Sequence, residues 1–575
     1  MTFRGLADDG VHDRNNDRNN NRDNERAGEW PNDRVADLIG ERVRVSPQQV
    51  FLVDAFTGRE TTYAEFHELA STLAAHLRER GVGRGDRVAT IVPNCTELAV
   101  LYFACLYCGA TIVPVNPNLS ASECHYILAN CRPKYTMATS SALQKFGGVL
   151  KGSILLSTSQ DPVNSSADPI IALNDLNRLA HPSSSAPLCD LRDDDIALIV
   201  YTSGTTAKPK GLAHHLGRMV RNATAFADAQ QIDSNSRFYL TLSMAYMGGI
   251  YNLLLLPFLT GASVVVDHVF DARSSLTFWD KARKFQANTV WLAPTVLSIL
   301  LKMDRGRLGE EYCRSSIKKT FVGFAPLPAK VKAEFETRYG VTLIENYGLS
   351  ETLFVTARSS SYADRRGDQE TGGQGYVGEP LPGIRTRVCD DHGSVVPSGE
   401  ESEIQVLTPD LMAGYLSESG DLNKVEASSW FPTGDYGRIS GGSLFITGRK
   451  KDLIIKGGIN ISPAAIEEVL LRASHVLDAA VVSVPHEIYG EDIVAVLKLE
   501  PETSLDSVLE PIMAQCKLAL AAHQQPSRYM AIDEFPRTSN GKIQKVRLRE
   551  LVWEKLQVGS PLPSEDAVAK QGTRA

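Results

Sequence analysis

The stretch from Leu198 to Gly211, LIVYTSGTTAKPKG, is an apolar run that breaks abruptly into hydroxyls, glycine and two lysines. Thr202, Ser203, Thr205 and Thr206 supply hydroxyl and backbone donors, Gly204 lets the chain approach an anion closely, and Lys210 adds positive charge. Together these make a cradle for phosphate. The common phosphate loop GxxxxGK[ST] is excluded, because Gly204 is followed at the required offsets by Pro209, Lys210 and Gly211. A Ser/Thr-rich surface turn accounts for SGTT alone, but not for the whole run YTSGTTAKPKG. Four more segments concentrate reactive side chains downstream: ENYGLSET (Glu345 to Thr352), WFPTGDYG (Trp430 to Gly437), ITGRKKDLIIKGGINISP (from Ile446) and EFPRTSNGKIQK (Glu534 to Lys545).

In this order the five segments resemble the signatures of the adenylate-forming superfamily, which holds acyl-CoA synthetases, adenylation domains of peptide synthetases and beetle luciferases. The resemblance runs from about Thr61 to Lys545 and leaves out only the tails. It implies that Thr202 to Thr206 and Lys210 hold ATP phosphates, and that Asn346 and Tyr347 bind the nucleotide, with Tyr347 against the adenine ring. By the same resemblance Ser350 reaches the α-phosphate region and Glu351 holds Mg²⁺, as a hard oxygen ligand would. Asp435 grips the ribose hydroxyls, Arg449 contacts ribose or phosphate, Lys451 is a hinge, and Gly457 and Gly458 let the pantetheine of CoA pass close to backbone. Lys542 is the implied catalytic lysine. Adenylation joins a carboxylate oxygen to the α-phosphorus of a polyanion, and a mobile ammonium between the two groups lowers that barrier electrostatically. Two positions depart from the pattern. Ala207 stands where the family has glycine, and Ala465 where it commonly has Glu.

These residues need a scaffold, and the chain suggests one. With 575 residues, 43% of them apolar, and a formal net charge of -8, it is long enough for two or more packed domains. It lacks the concentrated basic face that nucleic acid requires. Nine cysteines without a small-domain framework fit a reducing compartment, and a cytoplasmic location is expected. Cys105 and Cys108 form a CxxC inside the apolar run ELAVLYFACLYCGA, where core packing is the expected role. Leu98 to Val115 carries no charge over eighteen residues, but Gly109 and Pro114 divide it into a buried helix and a strand, not a membrane span. Short β-branched runs alternate with helical patterns, which indicates βαβ units. From about Tyr376 the texture turns to short strands with Gly and Pro turns.

The expected fold is therefore α/β: a large N-terminal domain of two parallel-type sheets with helices plus a β-rich subdomain, and a small mobile α+β C-terminal domain. The divisions expected are a disordered tail over 1–34, the N-terminal AMP-binding domain over 35–448, the lid domain over 449–555 and a second tail over 556–575. The C-terminal domain's rotation between two half-reactions is what the resemblance implies.

For the substrate, the segment LTLSMAYMGGIYN has Tyr246 ahead of Gly249 where the family often has histidine, and FVGFAPLP places bulky Phe324 beside Ala325 at a usually small position. Either Phe324 is core, or Phe324 and Tyr246 shorten an acyl pocket toward a modest or ring-bearing acid. No aspartate stands here to pair an α-ammonium, which favours a small carboxylic acid without an α-amine. The chain ends about thirty residues after Lys545 without a carrier domain, so the acyl group leaves to a separate thiol: CoA by the KGGINISP resemblance, with a free-standing carrier protein as the alternative acceptor. A catalytically silent nucleotide-binding protein is the alternative of another class.

Overall fold

The computed structural model describes residues 34–150, 154–157, 171–172, 191–202, 208–304, 306–358, 375–537 and 542–558. The two tails, other than residue 34 and residues 556–558, and Ser203, Gly204, Thr205, Thr206 and Ala207 of the phosphate-binding stretch lie outside these residues.

Two large sheets and one small sheet organise the chain. The largest, of thirteen strands, has a parallel run formed in spatial order by Val50–Asp54, Ser263–Val266, Arg237–Leu240, Thr289–Leu292, Lys319–Val322 and Leu343–Leu349. Beyond Leu343–Leu349 it continues antiparallel through Leu353–Ala357, Tyr376–Pro380, Ser443–Arg449, Phe431–Ser440, Ser402–Leu407 and Arg385–Cys389. This is the β-rich texture read from about Tyr376, joined edge to edge with the parallel sheet. The second sheet, of nine strands, is parallel from Ile171–Ala172 across to Ile196–Thr202. It then turns antiparallel through Lys210–His215 and Gly414–Leu416.

The main core lies between these two sheets. Helix Thr96–Tyr107 is buried from Glu97 to Tyr107, ends at Gly109 in the left-handed region (φ 70°), and is followed by strand Thr111–Pro114. The uncharged stretch is thus two core elements, and among the described residues no helix is long and apolar enough to cross a membrane. Cys105 and Cys108 are buried there, and burial holds the Cys105 thiol well above its usual range, as packing rather than metal or redox work requires. Beside this helix, Tyr63–Glu79 starts at a capping box between Thr62 and Glu65 and packs Phe66 edge-on to Phe51 and Phe103.

The apolar run GGIYNLLLL forms a π-helix over Gly248–Leu255 before an α-helical turn at Leu256–Thr260. An i, i+3, i+4 hydrophobic pattern does not separate the two windings when every position is buried. The third sheet, of five strands, begins at Ile454 after a 3-10 turn at Lys450–Asp452. Its two faces carry separate cores, one with Ile466, Leu470 and Ile512, the other with Phe535, Leu548 and Val552.

Candidate active site

Strands Ile196–Thr202 and Lys210–His215 form an antiparallel hairpin with Thr202 directly opposite Lys210. The two strands that flank the Ser/Thr-rich stretch are therefore paired neighbours in one sheet. A P-loop would instead open a helix. A Cβ on Gly211 would meet the Tyr201 ring at 2.9 Å and Leu416 at 3.1 Å, so a side chain there would force these neighbours to shift. The Lys210 ammonium lies 5.8 Å from the centre of the Tyr415 ring on the neighbouring strand.

Ser350 and Glu351 occupy the turn after strand Leu343–Leu349. Three contacts from the second sheet's side hold it. His214 Nε2 donates to the Ser350 carbonyl at 2.7 Å, the Met412 N–H donates to the Glu351 carbonyl at 2.7 Å, and Tyr415 Oη donates to Glu351 Oε1 at 2.8 Å. Burial pushes His214 down to about 4, so the ring is neutral near pH 7 with its proton on the nitrogen that donates. Burial, then the Glu351 charge, raises Tyr415, which keeps it a donor. His214 and Tyr415 had not been singled out in the sequence. The signal available was strand alternation, since His214 stands four residues after Lys210 and so shares its face.

Tyr415 engages one carboxylate oxygen of Glu351, and the other is the one a cation would use. Among the described residues no group of three or more His, Cys, Asp or Glu could hold a metal. This donor set fits Mg²⁺, which takes one or two carboxylates and completes its shell with water and substrate phosphates, and it does not fit a caged transition metal. In the same segment Asn346 Oδ1 is buried without a hydrogen-bond partner, an acceptor open to an incoming N–H donor.

Asp435 and Arg449 are directly opposed on antiparallel strands Phe431–Ser440 and Ser443–Arg449. Arg449 Nε sits 3.0 Å from Asp435 Oδ1, and Tyr347 Oη donates to Oδ2 at 2.8 Å. Asp435 is buried, which raises its carboxyl above the usual range. Arg449, the Tyr347 bond, Lys542 and Lys451 all oppose that rise. Lys542 is brought to this cluster from the small domain and is pushed down to about 8. Surrounding protein is the largest cause and the Arg449 charge the next, with Asp435 working the other way and Lys451 adding to the fall. Its side chain is nonetheless exposed to solvent. Next to Lys451, Lys450 is tied to both Glu403 and Asp391 at 2.9 Å.

Gly457 and Gly458 form the turn between strands Ile454–Lys456 and Ile459–Ile461, with φ of 60° and 82°. Positive φ at both central residues is what a tight hairpin of this twist demands. The Gly457 N–H donates to the Tyr489 carbonyl within the small domain's own body.

Phe324 is 38% exposed, so it is not a core residue. It adopts φ 74°, a conformation costly for a bulky side chain, and its ring lies 3.0 Å from where a Cβ on Gly248 would be. Tyr246 Oη accepts from Asn116 Nδ2 at 3.2 Å. A Cβ on Gly249 would fall 2.3 Å from the Ser243 carbonyl oxygen, so this position can carry no side chain. Ala325, half-buried, follows Phe324 in the same turn.

The family described as AMP-binding enzyme matches residues 39–416, and the AMP-binding enzyme C-terminal domain matches residues 465–542. A sulfoacetate–CoA ligase of Cupriavidus necator is 30% identical over 528 residues, covering 90% of this chain and 97% of its own. An indoleacetate–CoA ligase of Aromatoleum aromaticum is 29% identical over 506 residues, covering 87% and 95%. Among solved structures, ATP-bound MatB from Rhodopseudomonas palustris has a TM-score of 0.77 at 26% identity, covering 89% of this chain and 98% of that one. The α/β fold agrees with these matches, and the chain belongs to the AMP-binding enzymes.

Proposed function

We propose that this chain activates a carboxylic acid with ATP and transfers the acyl group to the thiol of CoA, with the residues described above in the following roles. A carboxylate oxygen of the acid attacks the α-phosphorus and pyrophosphate leaves. The CoA sulfur then attacks the acyl carbon and AMP leaves. The meeting of Tyr347, Asp435, Arg449 and Lys542, which come from separate segments of two domains, in one charged cluster carries this reading.

Asp435 accepts from the ribose hydroxyls while Arg449 and Tyr347 hold its orientation. Thr202 to Thr206 and Lys210 take the β- and γ-phosphates, Ser350 the α-phosphate region, and Asn346 and Tyr347 the base. Glu351 would hold Mg²⁺, which when bound neutralises phosphate charge and orients the leaving group. Lys542 bridges the carboxylate and the α-phosphate in the adenylating arrangement. Lys451 is the hinge about which the small domain turns for thiolation, and this brings the Gly457–Gly458 turn to the pantetheine.

Phe324 and Tyr246 wall a short acyl pocket suited to a modest or ring-bearing acid without an α-amine. Two relatives are named for sulfoacetate and indoleacetate, one compact and one ring-bearing. A screen of carboxylic acids by pyrophosphate release, coupled to loss of free CoA thiol, tests the whole. Short and aromatic acids should outpace long fatty acids. Peak turnover with long chains would refute the pocket, and adenylation with no CoA consumption would move the acceptor to a carrier protein.

A further inference from the structure

Strand Lys210–His215 carries Lys210, Leu212 and His214 on one face. Tyr415 stands directly opposite Leu212 on the neighbouring antiparallel strand, so it projects from the same face, between the lysine and the histidine. That face looks on to the turn of Ser350 and Glu351, which belongs to the other large sheet.

The bond from His214 to the Ser350 carbonyl does more than tie two sheets together. The Ser350 carbonyl and the Glu351 N–H lie in one rigid peptide plane, so fixing the oxygen fixes the direction in which Glu351 leaves the turn. The next plane is fixed by Met412 on the Glu351 carbonyl, and the carboxylate by Tyr415. His214 has 0% exposure, and its Nδ1 is buried without a partner. An apolar side chain would fill the same space without leaving an orphaned acceptor. The ring is therefore placed there for the bond its other nitrogen makes.

We infer that His214 is a positioning residue for Mg·ATP, holding the Ser350–Glu351 peptide plane so that the Glu351 carboxylate meets the metal-bound phosphates. The inference rests on the roles proposed above for Ser350 and Glu351.

His214→Leu and His214→Gln separate this role from packing, because the glutamine amide can donate to the same carbonyl and leucine cannot. His214→Met serves as a second, more adaptable apolar variant should the leucine form fail to fold. The apolar variant should raise both the KM for Mg·ATP in pyrophosphate exchange and the Kd for Mg·ATP by calorimetry by roughly tenfold. Thioester formation from supplied acyl-adenylate should change less than about twofold, and His214→Gln should return most of the ATP affinity. Equal loss in both half-reactions with unchanged KM and Kd would make His214 a packing residue only, and a glutamine variant no better than the apolar one would overturn the hydrogen-bond argument. If the wild type adenylates no acid at all, the proposed function fails, while the calorimetric comparison still decides the inference.

Discussion

Asp435→Asn tests the charge cluster at its centre. The side chain keeps its size and one acceptor oxygen for Tyr347, but its new amide donor faces the Arg449 guanidinium, which is itself a donor. The Arg449 side chain is 46% exposed, so it can swing into water. Removing a buried carboxylate also relieves the burial that raises Asp435, so global stability should change little. Nucleotide binding should suffer, because a carboxylate that takes two ribose hydroxyls is replaced by a group that takes one. A lost hydrogen bond to a charged group costs about 1.5–3 kcal/mol, or roughly 10- to 150-fold in kcat/KM for ATP.

The same variant makes a prediction about pH. Lys542 sits at about 8 in the free enzyme, and Asp435 is the neighbour that raises it. Bridging needs the ammonium, so kcat/KM for ATP should fall as pH rises through about 8, when the proton is lost. Without the Asp435 charge Lys542 drops further, and the alkaline limb moves to lower pH. The limb belongs to the free enzyme and should be weaker in kcat, because bound polyphosphate raises the lysine again. Pyrophosphate exchange across pH 6.5 to 9.5 reads both effects. An alkaline limb that stays in place or moves upward, with KM for ATP unchanged, would refute the cluster as the nucleotide site.

The remaining predictions concern the lysine, the hinge and the pocket. Lys542→Ala should abolish acyl-adenylate formation, by roughly 100-fold or more, while sparing thioester formation from supplied adenylate; equal loss in both would contradict its assignment. Lys451→Pro should do the reverse, leaving pyrophosphate exchange and impairing thiolation; normal thioester output would remove the rotation. Phe324→Gly should relieve the φ of 74°, raising the melting temperature by an amount equivalent to about 1 kcal/mol or more, and should extend turnover to longer acids. A loss of stability would show that the ring's packing over Gly248 outweighs the strain.

The large-scale fold was legible because its signals are local. The β-branched runs separated by helical patterns are the parallel strands, and Gly109 cuts an apolar stretch where a left-handed residue ends the helix. The charged cluster was anticipated for a related reason: each member sits in a short segment whose own composition marks it, although only the fold brings Tyr347 to Asp435 across 88 positions. What stayed hidden depends on partners or on winding. Residues 210–215 begin at the last lysine of Lys-Pro-Lys and show no strand pattern of their own, yet they are a full strand because Ile196–Thr202 and Gly414–Leu416 pair on either side of them. The π-winding of Gly248–Leu255 leaves no periodic trace in a run that is buried on all sides.

His214 is the sharpest case. Taken alone, a histidine in GLAHH is an ordinary strand residue, and its meaning depends on a carbonyl 136 positions away in another sheet. Since Lys210 and His214 share one strand face, a shift of one residue in its register would turn both away from the turn they address. The pairing of Thr202 with Lys210 and of Ala213 with Gly414 is therefore what aligns the Lys210–His214 face with the Ser350–Glu351 turn. A change that weakens either pairing should impair adenylation even where no residue proposed to touch nucleotide is altered.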